Sequence, residues 1–272
     1  MFTTLGHQKQ KDFLQRQIEH GNYAQSYLFS GPSVIGKRRL AIEFAQAIIG
    51  SSSTEERSID LILVDAAEMS VSEMRILQAS LSLSPFAGLK KVAIIDNFEQ
   101  ASKEVSNALL KTLEEPNPST VIILIANNYK ALLPTIISRV QRLHFSALPE
   151  AEFKELPGIK NIKHFNGRLG KALRYSTEPE YAKQFDSSVN ELNNIKKIIP
   201  AERLLSIKKL SELENKELTD LFDTWLDVEQ SQLRSHPNNY KNLNLLSAAI
   251  RDIRRNLNKK LILQKVLLEL SA

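Results

Sequence analysis

An α/β domain built on a parallel sheet, followed by helical units, is what this sequence predicts. Three observations predict it. Short apolar runs rich in β-branched and aromatic residues alternate with helical patterns through the first half. A glycine-containing turn joins the first run to an amphipathic stretch. Beyond residue 150 the strand signals stop, and helical spacing continues to the end.

The elements follow in order. "SYLF" (26–29), "LILV" (61–64), "VAII" (92–95) and "VIILI" (121–125) read as buried parallel strands, with "QRLHF" (141–145) as a fifth. Between them, "ASKEVSNALLKTL" places Ala101, Val105, Ala108 and Leu109 on one helical face, and Pro116 stops that helix. "GSSSTEERS" (50–58) reads as a polar surface loop. "ALPEAEF" and "ELPGI" are proline-punctuated starts, and "FNGRLGKALRY" (165–175) opens a short helix. "LTDLFDTWLDVEQSQL" carries Leu218, Leu221, Phe222, Trp225 and Leu226 on one stripe. In "IRDIRRNLNKKLILQKVLLEL", Leu263, Leu267 and Leu270 share a face with Ile262 and Val266 beside it, more apolar surface than a small bundle is expected to hide. Three units are expected: an α/β domain at 1–147, a small helical unit at 148–187 and a terminal helical bundle at 188–272.

Composition excludes several classes. The 272 residues contain no cysteine, which removes disulfides and cysteine-ligated zinc, and the five histidines lack metal-binding spacing. No G-x-S-x-G elbow marks a serine hydrolase. No apolar run reaches membrane-spanning length, and "MFTTLGHQKQKD" has no signal-like apolar core, so the expected compartment is the cytoplasm. The net charge of +5 is concentrated: residues 130–174 hold nine Lys/Arg against three Asp/Glu. A solvated basic face accounts for any single one of these charges, while the concentration suits an acidic partner such as a nucleic acid backbone.

"GPSVIGKRRL" (31–40) carries the chemistry. Gly31, Gly36 and Lys37 stand at the spacing of G-x-x-x-x-G-K-[ST], between a strand and an amphipathic helix, where loop N–H groups and the lysine cradle phosphates. Arg38 occupies the place of the hydroxyl that normally binds Mg²⁺, and it brings a positive charge instead. Asp96, closing the strand "VAIID", stands where an aspartate holds the metal. Asn97, next to it, cannot take a proton from an attacking water at neutral pH. Metal binding and water activation are both impaired.

The block "NALLKTLEEPNPSTVIILIANNYKALLPTIISRVQRLHF", with "SLSLSPFAGLKKVAIIDN" before it, resembles the clamp-loader branch of the AAA+ ATPases. Within that branch the pattern is most similar to the delta-prime subunits of the bacterial DNA polymerase III clamp loader, which commonly lack working nucleotide machinery. The resemblance implies a P-loop AAA+ domain, a helical lid and a C-terminal collar. The family's Ser-Arg-Cys motif reads Ser138-Arg139-Val140 here, so Arg139 is the implied arginine finger, offered in trans to a neighbour's ATP site. The lid arginine of active members is replaced by Gly170, with Arg168 and Lys171 on other faces of the helix. Asn127 and Asn128 both lie near the first sensor position. The four-cysteine zinc module common in bacterial members is absent, which marks a shortened, divergent member.

The resemblance implies no cofactor beyond a vestigial ATP site at Gly31, Gly36, Lys37 and Asp96, no metal, and no activity by the chain alone. The implied partners are tau/gamma and delta subunits, the sliding clamp and primer–template DNA, with no membrane. An ATP-hydrolysing tau/gamma-like subunit is the alternative. It requires Arg38, Asn97 and Gly170 all to be tolerated. A small-molecule P-loop kinase is disfavoured by the helical C-terminal third.

Overall fold

A computed structural model describes residues 2–50, 58–149, 162–233 and 239–271. The polar loop expected at 50–58 lies almost wholly outside the described residues, as do most of the two proline-punctuated starts. Contacts divide the chain into two units, Met1–Leu148 and Pro149–Ala272.

In the first unit, strands β1 (Ser26–Ser30), β2 (Leu61–Asp65), β3 (Lys91–Asp96), β4 (Thr120–Ala126) and β5 (Gln141–His144) form one sheet in the order β2-β3-β4-β1-β5. Every described pairing is parallel. Successive side chains of β4 go to opposite layers, as the period of two requires. Val121, Ile123 and Ile125 meet α1 (Gln8–Glu19) and α2 (Lys37–Ile49) through Leu14, Leu40 and Phe44. Ile122 and Leu124 meet α3 (Val71–Ser82) and α4 (Lys103–Glu114) through Met74, Leu77, Val105 and Leu109. With both faces covered, the strands read as unbroken apolar runs. Helix α4 begins later than expected. Ser102 caps it by accepting a hydrogen bond from the Val105 N–H at 3.2 Å, so Ala101 lies before the helix.

Two further features position the site. The short α5 (Pro134–Ile137) precedes β5, the edge strand beside β1. Asp60, just before β2, is 1% exposed and accepts hydrogen bonds from the N–H groups of Phe86, Ala87 and Gly88 at 2.7–2.8 Å.

The second unit is helical: α6 (Leu169–Thr177), α7 (Pro179–Lys197), α8 (Pro200–Arg203), α9 (Ser206–Glu212), α10 (Asn215–Gln232), α11 (Asn239–Arg254) and α12 (Lys259–Glu269). Helix α7 runs unbroken through residue 187, where the sequence suggested a division, and packs with α6 and α10. On α10 the expected stripe is buried apart from Leu226, which is half-buried, while Asp227 and Glu229 are fully buried.

In the chain's last stretch, the apolar face that the sequence shows is covered from within its own unit. The stretch is two helices, broken where Asn256 adopts a left-handed φ of 55° and Asn258 caps α12 through the N–H groups of Lys260 and Leu261. Ile262, Leu263, Val266, Leu267 and Leu270 are all buried inside this unit, because α8, α9 and α11 pack on α12. The bundle therefore does hide that face. Arg203, 3% exposed, donates to the Leu267 and Leu270 carbonyls and so places a cation at the α12 C-terminus.

Candidate functional site

The 31–36 loop leaves the carboxyl end of β1, the position where open α/β sheets place ligands. Gly31 has φ 150°, and a Cβ there would stand 2.0 Å from the Phe145 carbonyl oxygen, so only glycine fits beside β5. Gly36, at φ 102°, turns the chain into α2. His7 steadies the same loop. It is 6% exposed, it packs edge-on against Phe145, and its Nε2–H donates to the Ile35 carbonyl at 2.7 Å. This role of His7 has no local sequence signal, since nothing nearby in the chain connects it with residue 35.

Lys37 is 4% exposed and turns back on its own loop. Its ammonium donates to the Gly31 carbonyl at 2.7 Å, the Pro32 carbonyl at 2.5 Å and Asn127 Oδ1 at 3.1 Å. Asn127 Nδ2 donates in turn to Glu99 Oε1 at 2.7 Å, while Glu99 Oε2 is buried and unbonded. Of the two candidate asparagines, Asn127 is therefore the one joined to the loop. Asn128 instead accepts from the Lys130 N–H and caps a short turn. Glu99 was missed by sequence reasoning; its only signal is a position three residues past Asp96.

Arg38 and Asp96 face each other. Their Nε–Oδ2 distance is 3.9 Å, and both line a cleft with Asp65 at the ends of β2 and β3. Asn97 has a left-handed φ of 50°, and its Nδ2 donates to Asp65 Oδ2 at 2.8 Å. A divalent ion at Asp96 would meet a guanidinium instead of a hydroxyl oxygen, and Asn97 has an amide engaged with a carboxylate. This donor set does not fit a hydrated Mg²⁺, which needs oxygen ligands around it.

Arg139 sits between α5 and β5. Its Nη2 is 2.8 Å from Glu114 Oε1 at the end of α4, and its Nη1 donates to the Thr135 carbonyl and Ser138 Oγ, both at 3.0 Å. Nearby, the Arg142 guanidinium lies over the Tyr129 ring at 4.3 Å.

The lid positions belong to the second unit. Gly170 lies in the first turn of α6. Arg168 and Lys171, the two cations beside it, are both engaged by α10. Lys171 Nζ bonds Asp223 and lies 2.5 Å from Asp227 Oδ2; Arg168 Nη1 lies 3.0 Å from Asp227 Oδ1. Burial pushes Asp227 up to about 6, against the pull of Lys171 and Arg168. For Asp223 burial also pushes up, but the same two cations prevail and hold its carboxyl below the ordinary range. Among the described residues, no group of carboxylates or histidines is arranged to hold a metal, and no helix is long and apolar enough to cross a membrane.

Residues 6–149 match the family model described as DNA polymerase III, delta subunit. The chain belongs to that family. It is 34% identical over 169 residues to the DNA polymerase III subunit tau of Escherichia coli, covering 56% of this chain and 26% of that protein. It is 30% identical over 151 residues to the subunit delta' of Bacillus subtilis, covering 50% of this chain and 46% of that one. The chain thus spans less than half the length of either curated relative. A solved DNA polymerase III gamma subunit-related protein of Thermotoga maritima has the same fold, with a TM-score of 0.58, 21% identity, and 93% and 97% of the two chains covered. The matched region of this delta subunit family member contains the loop, Asp96, Asn127 and Arg139.

Proposed function

We propose that this chain is a non-hydrolysing subunit of a DNA polymerase III clamp loader, assembling with tau/gamma-like and delta-like subunits to place a sliding clamp on primed DNA. In this reading it keeps a vestigial nucleotide loop at Gly31, Gly36, Lys37 and Asp96, turns over no ATP itself, and lends Arg139 to a neighbour's ATP site. The observation that carries the reading is the Arg38–Asp96 pair, which sets a permanent positive charge beside the carboxylate where hydrolysis needs a metal. Asn97 supports it from the water side, and the engagement of Arg168 and Lys171 by α10 supports it from the lid. Arg139 lies just before β5, the edge strand of the sheet, and its side chain is 34% exposed. An arginine offered in trans stabilises charge on the transferred phosphoryl group and is worth about 10³–10⁵ in rate in other P-loop systems.

A tau-like ATPase is the second reading, favoured by the 34% identity to tau. Purified chain assayed with ATP and Mg²⁺ separates the two. No turnover above background is expected, and turnover that disappears in Lys37→Ala would establish the ATPase. For the finger, Arg139→Ala should slow ATP turnover by the assembled complex at unchanged assembly, and an unchanged rate would return Arg139 to an ordinary surface charge.

A further inference from the structure

We infer that Glu114, with Thr135 and Ser138, is the set of positioning residues that aims Arg139 at a phosphate group of a neighbouring subunit; this rests on the trans-arginine reading above. An arginine side chain has five N–H donors and a long flexible stem. Here Nη1 is held twice, by the Thr135 carbonyl and Ser138 Oγ, each at 3.0 Å. Ser138 Oγ also donates to the Thr135 carbonyl at 3.0 Å, so the small turn is closed on itself. Nη2 is held once, by Glu114 Oε1 at 2.8 Å. Nη1 is thereby hydrogen-bonded and Nη2 ion-paired, while the edge formed by Nε–H and Nη2 makes no hydrogen bond to the described residues and remains to donate. Two donors on one planar group suit two oxygens of one phosphate.

The holders come from separate places in the chain. Glu114 closes α4, whereas Thr135 and Ser138 belong to α5 and the residue after it. An isolated surface pair contributes little to folding, and the Glu114 and Arg139 side chains are 49% and 34% exposed. Orientation is another matter. An arginine held at both terminal nitrogens reaches a reacting phosphate with far less rotamer freedom to lose, and misplacement of about 1 Å can cost up to ~10²-fold in rate. Glu114 acts through Arg139 and touches no substrate.

The experiment is steady-state ATP turnover by the complex assembled with its native partners, comparing parent, Arg139→Ala, Glu114→Ala, Glu114→Gln and the Arg139→Ala/Glu114→Ala double variant. Assembly is matched in every sample. Glu114→Ala should lower kcat roughly tenfold at the site this chain completes, with KM for ATP unchanged. Glu114→Gln should recover only part of the rate, because the amide keeps the length of the side chain but not the charge that pairs with Nη2. The double variant should be no slower than Arg139→Ala alone, the signature of two residues acting through one contact. If Arg139→Ala slows turnover while Glu114→Ala matches the parent or exceeds it, positioning by Glu114 is wrong and the trans-arginine reading survives. If Arg139→Ala itself changes nothing, both fall together. A loss in Glu114→Ala that adds fully to that of Arg139→Ala would mean Glu114 acts elsewhere, and it too overturns the inference.

Discussion

Replacing Lys171 with methionine tests whether the lid helix is built for packing or for reading a nucleotide. The ammonium lies 2.5 Å from Asp227 Oδ2 and also bonds Asp223, and its side chain is only 10% exposed. At an effective dielectric of about 20, opposite charges roughly 4 Å apart attract by about 4 kcal/mol. Methionine restores part of that through packing. The net loss should be about 3 kcal/mol, the lower end for removing one partner of a buried pair. The pH dependence gives a second, sharper signature. Asp227 is raised to about 6 in the folded parent, above the roughly 3.9 of an unfolded aspartate. A raised acid contributes stability that is present below its unfolded value and lost as pH rises through its folded value. Without Lys171 the folded value rises further, so the gap between parent and variant should widen above pH ~6 and narrow in acid, where Asp227 is protonated in both. The assay is urea unfolding followed by Trp225, the single tryptophan. It is fully buried on α10 between the two aspartates, and its Nε1–H donates to the Ser188 carbonyl at 2.9 Å. A loss below about 1 kcal/mol, the range of exposed pairs, or a gap independent of pH would refute the reasoning.

Asp60→Asn should destabilise the first unit by about 2 kcal/mol, because one amide oxygen and an NH₂ group replace a carboxylate accepting three backbone N–H groups. Burial raises Asp60, but those hydrogen bonds and Lys91 prevail and lower it. The parent should therefore lose this contribution as pH falls below about 3.9, and the variant's urea midpoint should respond less to acid over that window. Gly31→Ala should cost more than about 2 kcal/mol, since its Cβ would drive against the Phe145 backbone; a chemical-denaturation midpoint equal to that of the parent would contradict the close approach of loop and β5.

The sheet was legible because its physics is local to each strand. A strand covered on both faces needs an unbroken apolar run, and the four such runs became β1 to β4 at their expected places, while the mixed run "QRLHF" became the exposed edge strand β5. The end of the chain was harder to read because apolar spacing continues across a break made by two asparagines. Asn256 takes the left-handed turn and Asn258 supplies the cap, so local hydrogen bonding overrides a helical pattern that looks continuous. The buried acids of α10 were hidden for another reason. Asp223 and Asp227 at i, i+4 read as a solvated face until Arg168, just before α6, and Lys171, in its first turn, are brought to them.

At the candidate site, the same division separates what a motif carries from what a sheet assembles. Gly31, Gly36, Lys37 and Arg38 are neighbours in sequence, so their spacing and the misplaced arginine could be read directly. Asn127 and Asn128 are neighbours too, yet sequence could not choose between them. The choice is made by strand order and register. Because β4 lies between β1 and β3, Ser30 pairs with Ala126, and the Gly31 N–H reaches the Ala126 carbonyl at 3.2 Å. The residue after Ala126 therefore emerges beside the 31–36 loop, next to Lys37, with the turn after β3 on its other side. One residue later the chain has already turned away, and Asn128 spends its side chain on the Lys130 N–H. The Lys37–Asn127–Glu99 chain thus exists because three strand ends meet, and no single stretch of sequence contains enough of it to be seen.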